Sequence, residues 1–271
     1  MDRQSPIGVF DSGLGGLTVA REIMRRMPDE KIVYFGDTAR VPYGSKSKAT
    51  ITHYSRQIVN FLKTREVKAI VVACNTASAL VLDELIHEVD VPMIGVVKPG
   101  ALTAVRSTKN GRIGVTGTES LVNSGVYIDF IRQLDPQARV FQKACPLLCP
   151  LVEEGWWHDD ITTEIVRRYL EDLKKEGVDT LIMGCTHYPL LRSTFRAVLG
   201  ESVELINPAY ETSEELSEIL KRKDLTRIPD GSPLTHEFYV SDDPQRFVEF
   251  ATSVLKFDIG RAEKIAIENY G

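Results

Sequence analysis

An α/β fold in two similar halves, each built around a parallel central sheet, is what this sequence predicts, and three observations predict it. Short β-branched runs alternate with longer amphipathic runs along the chain, the pattern of successive βα units. The segment IGVFDSGLGG at 7–16 resembles IGVTGTESLV at 113–122, an offset of 106 residues. AIVVACNTASA at 69–79 and TLIMGCTHYPL at 180–190 likewise share an apolar run ending in cysteine, an offset of 111. Two βα units in one order, at nearly one separation, read as a duplicated scaffold with a cysteine at a strand end in each half.

In chain order, strands are expected at 7–10, 31–35, 69–73, 93–97, 112–116, 139–142, 180–184, 203–206 and 237–240, each a β-branched or aromatic run. Helices are expected between them. In the first, Leu14, Leu17, Ala20, Ile23, Met24 and Met27 share one face and Pro28 follows, so an apolar stripe should lie on a sheet. The charged stretch 221–231 reads as an exposed loop.

Bulk properties narrow the function. At 271 residues the chain is long enough for about two domains of ~150, and 43% hydrophobic with 26% charged residues is ordinary for a folded globular protein. A net charge of −5 with dispersed Lys and Arg gives no footprint for nucleic acid. No apolar stretch approaches the ~20 residues of a membrane helix, and MDRQSPIGVF lacks a signal-peptide core, so the protein is expected in the cytoplasm, away from the membrane. Four cysteines in a reducing compartment point to free thiols, ligands or catalysts rather than disulfides.

Ligands of open parallel sheets bind beyond the carboxyl ends of the strands, which is where Asp11, Cys74, Thr116 and Cys185 fall. If the halves face each other, Cys74 and Cys185 approach one ligand from opposite sides. Chemistry that needs a similar group on each face of one carbon is inversion of a stereocentre, with one group removing the proton and the other returning it. A thiol of pKa about 8.5, lowered at a helix N-terminus, suits both roles. Asn75 and Thr76 in one βα turn, Thr186 and His187 in the other, and Tyr43, Gly44 and Ser45 in the loop RVPYGS offer amides and hydroxyls for a ligand with two carboxylates. Asp11 suits an ammonium group or the Cys74 proton, and His187 stands two residues from Cys185, able to tune its thiol.

Plainer readings stand beside these. A cysteine at a strand end is often a small buried hydrophobe, and Asp11-Ser12-Gly13 can be a turn and cap. Gly13, Gly15 and Gly16 lack the G-x-x-x-x-G-K phosphate loop. Cys145 and Cys149, each followed by proline, have no C-x-x-C or paired-histidine partner, so no metal site is expected and both read as packing or loop residues. Glu153-Glu154 before Gly155 can be a solvated helix end, and Trp156-Trp157 a core edge or subunit contact.

The motifs FDSGLGGLTV, DTARVPYGS, ACNTAS and GCTHYPLL, in this order and across nearly the whole chain, resemble the aspartate/glutamate racemase superfamily and, within it, the glutamate racemases. The resemblance implies a cofactor-independent interconversion of L- and D-glutamate for peptidoglycan synthesis, with no pyridoxal lysine, on two α/β domains with the active site at their interface. By it, Cys74 takes the α-proton of D-glutamate and Cys185 that of L-glutamate, with Asp11 assisting the first thiol and Glu153 and His187 the second. Substrate contacts would fall on Asp11, Ser12, Pro42, Tyr43, Gly44, Ser45, Asn75, Thr76, Thr116, Thr118, Thr186 and His187. It further implies a homodimer and domains of 1–98 plus 208–271 and of 99–207. Cys149 departs from the family pattern, where an aliphatic residue is more usual. An aspartate racemase on the same fold, and a thiol-bearing binding or redox protein, are the competing readings.

Overall fold

The computed structural model describes residues 2–231 and 233–271. Among the described residues, ten strands form two parallel sheets. The first contains β1 (Ile7–Asp11), β2 (Ile32–Gly36), β3 (Ala69–Val72), β4 (Met93–Gly95), β9 (Glu237–Val240) and β10 (Glu263–Lys264) in the order β10-β9-β2-β1-β3-β4. The second contains β5 (Arg112–Gly117), β6 (Arg139–Ala144), β7 (Thr180–Gly184) and β8 (Glu204–Ile206) in the order β6-β5-β7-β8. The four strands β2-β1-β3-β4 and β6-β5-β7-β8 follow one winding order, which is the duplication expected from the repeated segments. β1, β2, β3 and β7 are buried at every residue, as strands covered by helices on both faces must be, and this explains their unbroken apolar runs.

All nine expected strands are present, with ends shifted by a residue or two. The run 93–97 is cut short: β4 ends at Gly95 and Val97 already opens the helix Val97–Ser107. A short apolar run cannot signal that boundary by periodicity. β10, two exposed charged residues paired to Tyr239 and Val240, carries no apolar pattern and was not expected.

The first helix spans Leu17–Arg26 and buries Leu17, Ala20 and Ile23; Leu14 is buried in the loop before it. The helix packs against Pro208–Arg222 and Pro244–Leu255, so the last part of the chain covers the first sheet. The stretch 221–231 is not simply an exposed loop: Leu225 and Arg227 are buried, and the Arg227 amide donates to Glu30 Oε1 at 2.8 Å.

Hydrogen bonds join the two sheets' loops where their carboxyl ends meet. Thr18 Oγ1 donates to the Thr186 carbonyl at 2.8 Å, Tyr127 Oη donates to Asn75 Oδ1 at 3.0 Å, and Ser120 Oγ donates to the Gly44 carbonyl at 2.6 Å. The Thr76 and Thr118 hydroxyls meet at 2.9 Å. At ~1 kcal/mol net each, these contacts fix the alignment of the halves.

Candidate active site

A cavity of about 60 Å³ lies between the facing strand ends, and both Cys74 and Cys185 line it. Ser12, Pro42, Tyr43, Gly44, Asn75, Thr76, Thr118, Glu153, Thr186 and His187 complete the expected part of its wall. Topology alone brings them there: each cysteine follows the innermost neighbour of its sheet's central strand, β3 beside β1 and β7 beside β5.

Cys74 caps the helix Asn75–Leu80, its sulfur accepting from the Ala77 amide at 3.5 Å. The lowered thiol pKa expected from that position is not found. Burial, followed by the charge of Asp11, pushes the Cys74 thiol up to about 12, against the opposing pull of the Ala77 amide and the Ser12 side chain. Desolvation of a thiolate outweighs one frayed turn of helix dipole. Asp11 itself has no exposed surface; its Oδ2 accepts from the Gly13 amide at 3.0 Å, and burial raises its pKa.

On the other side, Cys185 Sγ lies 3.6 Å from His187 Nδ1 and 3.4 Å from Cys149 Sγ. The hydrogen bond with Cys149, then burial, raise the Cys185 pKa well above the ordinary thiol value, and His187 opposes them. His187 Nε2 bonds Glu153 Oε1 at 3.0 Å. Burial alone would push this imidazole down; the sulfur of Cys185 and the carboxylate of Glu153, one at each nitrogen, outweigh it and hold the pKa at about 10. For Glu153, burial raises the pKa, yet His187 and Arg246 carry it below the ordinary value. Glu153 is therefore no solvated helix end. It is an anchor that fixes the ring orientation of His187.

Three expected contacts fall outside the cavity wall. Asp11 sits behind Ser12 and reaches the site through its charge on Cys74. Thr116 is buried within β5, which runs on to Gly117, and its hydroxyl donates to the Ile182 carbonyl at 3.2 Å. Thr118, the first residue past the strand, takes the lining position and caps the helix Glu119–Ser124. Ser45 is exposed, its hydroxyl donating to the Pro42 carbonyl at 3.5 Å. Tyr43 is on the wall, but its hydroxyl is already committed to Asp37, which Arg40 and Ser241 also hold.

Gly13, Val41, Cys149 and Gly184 also line the wall without having been expected there, and of these Cys149, read from the sequence as a packing or loop residue, carries a reactive group. Cys149 lies four residues before Glu153 in the helix Leu148–Glu153, so both project from one face toward Cys185 and His187. That i,i+4 spacing was the available signal. Cys145 is different: it is fully buried in the core, its thiol donating to the Lys143 carbonyl at 3.5 Å. Trp157 belongs to the core edge, its ring beside Phe250 and its indole N–H donating to the Val152 carbonyl at 2.7 Å, while Trp156 is exposed.

The model of the Asp/Glu/hydantoin racemase family matches residues 16–215. The chain belongs to this family. As a racemase it is an isomerase. It is 45% identical over 262 residues to a glutamate racemase of Geobacter metallireducens, covering 97% of each chain. Among solved structures, a glutamate racemase isoform from Bacillus anthracis superposes with a TM-score of 0.91 at 42% identity over 97% of both chains. The Francisella tularensis glutamate racemase in complex with D-glutamate superposes with a TM-score of 0.92 at 34% identity, over 99% of this chain and 100% of that one. The two-sheet α/β architecture of this racemase is thus that of the glutamate racemases.

The glycines of the β1 loop have a use in this racemase other than phosphate binding. A Cβ on Gly15 would lie 2.3 Å from Thr186 Oγ1 and 2.6 Å from the His187 ring. Gly15→Ala is therefore expected to displace the imidazole from Cys185 and lower kcat/KM by about 10²-fold, as a misplacement near 1 Å does elsewhere. Steady-state racemisation rates check this, and wild-type activity would mean the ring yields without consequence.

Proposed function

We propose that this protein interconverts L- and D-glutamate without a cofactor, by two-base proton transfer between Cys74 and Cys185. The observation that carries the reading is that two thiols from duplicated positions on separate sheets open onto one cavity. The glutamate racemases to which the chain is similar, one of them described with D-glutamate bound, supply the substrate.

In one direction Cys74 removes the α-proton of D-glutamate and Cys185 delivers a proton to the opposite face; in the other the roles exchange. Burial at Cys74, and the hydrogen bond with Cys149 followed by burial at Cys185, favour the protonated thiols, so the resting site keeps its donors loaded. A thiolate has to form only on one side at a time. The ammonium group of a bound amino acid brings a positive charge into the cavity beside Cys74, and this favours ionisation of its thiol. His187, fixed by Glu153 at Nε2, keeps Nδ1 for Cys185. Ser12, Asn75, Thr76, Thr118 and Thr186 supply hydroxyls and amides for the two carboxylates, and a water-poor site strengthens those contacts. The functional units are residues 1–98 with 208–271, and 99–207, a division supported by the membership of the two sheets. The protein acts in the cytoplasm as a homodimer and supplies D-glutamate for peptidoglycan; no helix among the described residues is long and apolar enough to cross a membrane.

Incubation with L-glutamate in deuterated water, with no cofactor added, tests this. Chiral separation and mass measurement are expected to give D-glutamate carrying one deuteron at the α-carbon, and L-aspartate run in parallel should turn over far more slowly. Unchanged L-glutamate, or unlabelled D-glutamate, would sink the two-base reading.

A further inference from the structure

Cys149 has no part in the two-base transfer, yet its sulfur touches that of Cys185. One ligand atom from each of Cys149, Cys185 and His187 lies within 4.8 Å of the others, with 3.4 Å between the sulfurs and 3.6 Å from Cys185 to His187 Nδ1. We propose that Cys149, Cys185 and His187 form a site for a soft divalent cation, Zn²⁺ foremost, whose occupancy arrests racemisation.

The geometry fits that ion closely. Tetrahedral zinc with Zn–S of about 2.3 Å and Zn–N of about 2.0–2.1 Å requires sulfur atoms about 3.8 Å apart and a sulfur-to-nitrogen separation of about 3.6 Å. The Cys185–His187 separation is already met, the sulfur pair needs an opening of a few tenths of an ångström, and the Cys149-to-imidazole separation lies within 4.8 Å. Thiolate and imidazole donors select zinc over magnesium or calcium. An independent feature supports the site: Glu153 Oε1 engages His187 Nε2 at 3.0 Å, which is the carboxylate–histidine pairing that orients metal-bound imidazoles and leaves the other nitrogen for the ion. Two thiolates neutralise the dication, so the assembled group carries no net charge into a buried place. Binding forms two Zn–S bonds and one Zn–N bond and releases to solvent the thiol protons and any proton on Nδ1. Three protein donors would leave the fourth position of a tetrahedral zinc for water or a substrate carboxylate.

This set differs from the Cys145–Cys149 spacing set aside from the sequence, because Cys145 is buried elsewhere and takes no part. The arrest follows from stoichiometry: a Cys185 thiolate bound to zinc neither accepts nor delivers the α-proton. Cys149 makes the difference between two donors, which hold zinc weakly, and three.

The test uses the full-length protein in metal-free, oxygen-free buffer, so that no Cys149–Cys185 disulfide forms. Added Zn²⁺ is expected to abolish racemisation at one equivalent, and EDTA to restore it. Cys149→Ala and Cys149→Val, each compared with its own metal-free rate, should need about 10²-fold more Zn²⁺ for half inhibition. Inhibition curves that overlay those of the wild type would overturn the proposal. Co²⁺ gives a readout independent of turnover: thiolate-to-cobalt charge-transfer absorption should appear in the wild type and fade in both variants, even if glutamate proves not to be the substrate. Absorption that persists at full strength in the variants would place the metal on other donors, and a cobalt-loaded enzyme at full activity would refute the arrest.

Discussion

Cys74→Ala and Cys185→Ala are each expected to lower kcat/KM in both directions by at least ~10²–10⁴-fold, the range that one positioned acid or base contributes. In a one-base enzyme, removing the base would stop both directions and removing the other cysteine would leave both nearly intact. Here every turnover takes a proton with one sulfur and gives one with the other, so removing either stops inversion of both enantiomers. The double variant should be scarcely worse than either single one, because residues that act as a unit are non-additive. The decisive signature lies in isotope exchange. In Cys185→Ala, Cys74 still faces the α-proton of D-glutamate and can exchange it with deuterated water, so labelled D-glutamate should accumulate without L-glutamate. Cys74→Ala should show the converse with L-glutamate. A variant that keeps inversion within tenfold of wild type would dismantle the paired-thiol assignment, whichever cysteine it lacks.

The pairing was legible because it rests on repetition, and repetition survives in a sequence. IGVFDSGLGG and IGVTGTESLV are β1 and β5, each the inner strand of its sheet, and the two apolar runs that end in cysteine are β3 and β7 beside them. A parallel strand buried on both faces spells itself out as a continuous apolar run. Other features leave no such trace. Thr116 and Thr118 differ by two positions of a pleat and by one strand end, which propensity does not resolve, and only the ladder running to Gly117 separates the packed hydroxyl from the one at the cavity. The thiol pKa went the opposite way from the expectation because a helix N-terminus is local while desolvation is set by the whole fold around Cys74. Cys149 was read as a packing or loop residue for a similar reason. Its meaning depends on the approach of the helix Leu148–Glu153 to the end of β7, a contact between residues 36 apart.

Lys68→Met is expected to destabilise the protein by about 3–5 kcal/mol, the cost of leaving one member of a buried ion pair alone. The Lys68 side chain has no exposed surface, and its Nζ lies 2.6 Å from Glu30 Oε2, itself only 2% exposed. The same ammonium donates to the Arg3 carbonyl at 2.7 Å. Burial pushes the Lys68 pKa down, and the Glu30 carboxylate resists that shift. Removing the lysine takes the ammonium partner from the buried carboxylate, which keeps the Arg227 amide on Oε1 but loses the cation on Oε2. Thermal unfolding should fall by roughly 10 °C, at ~2–4 °C per kcal/mol for a chain of this size. Lys68→Met combined with Glu30→Gln should recover most of the loss, since a neutral amide still accepts from the Arg227 amide, as Glu30 Oε1 does at 2.8 Å. The catalytic rate of the folded fraction should not change. Lys68 stands just before β3, whose far end delivers Cys74, so the pair secures the amino end of the strand while the chemistry occupies the carboxyl end. A loss below ~1 kcal/mol in the single variant would mean that the ion pair contributes little and that β3 is held by its apolar neighbours.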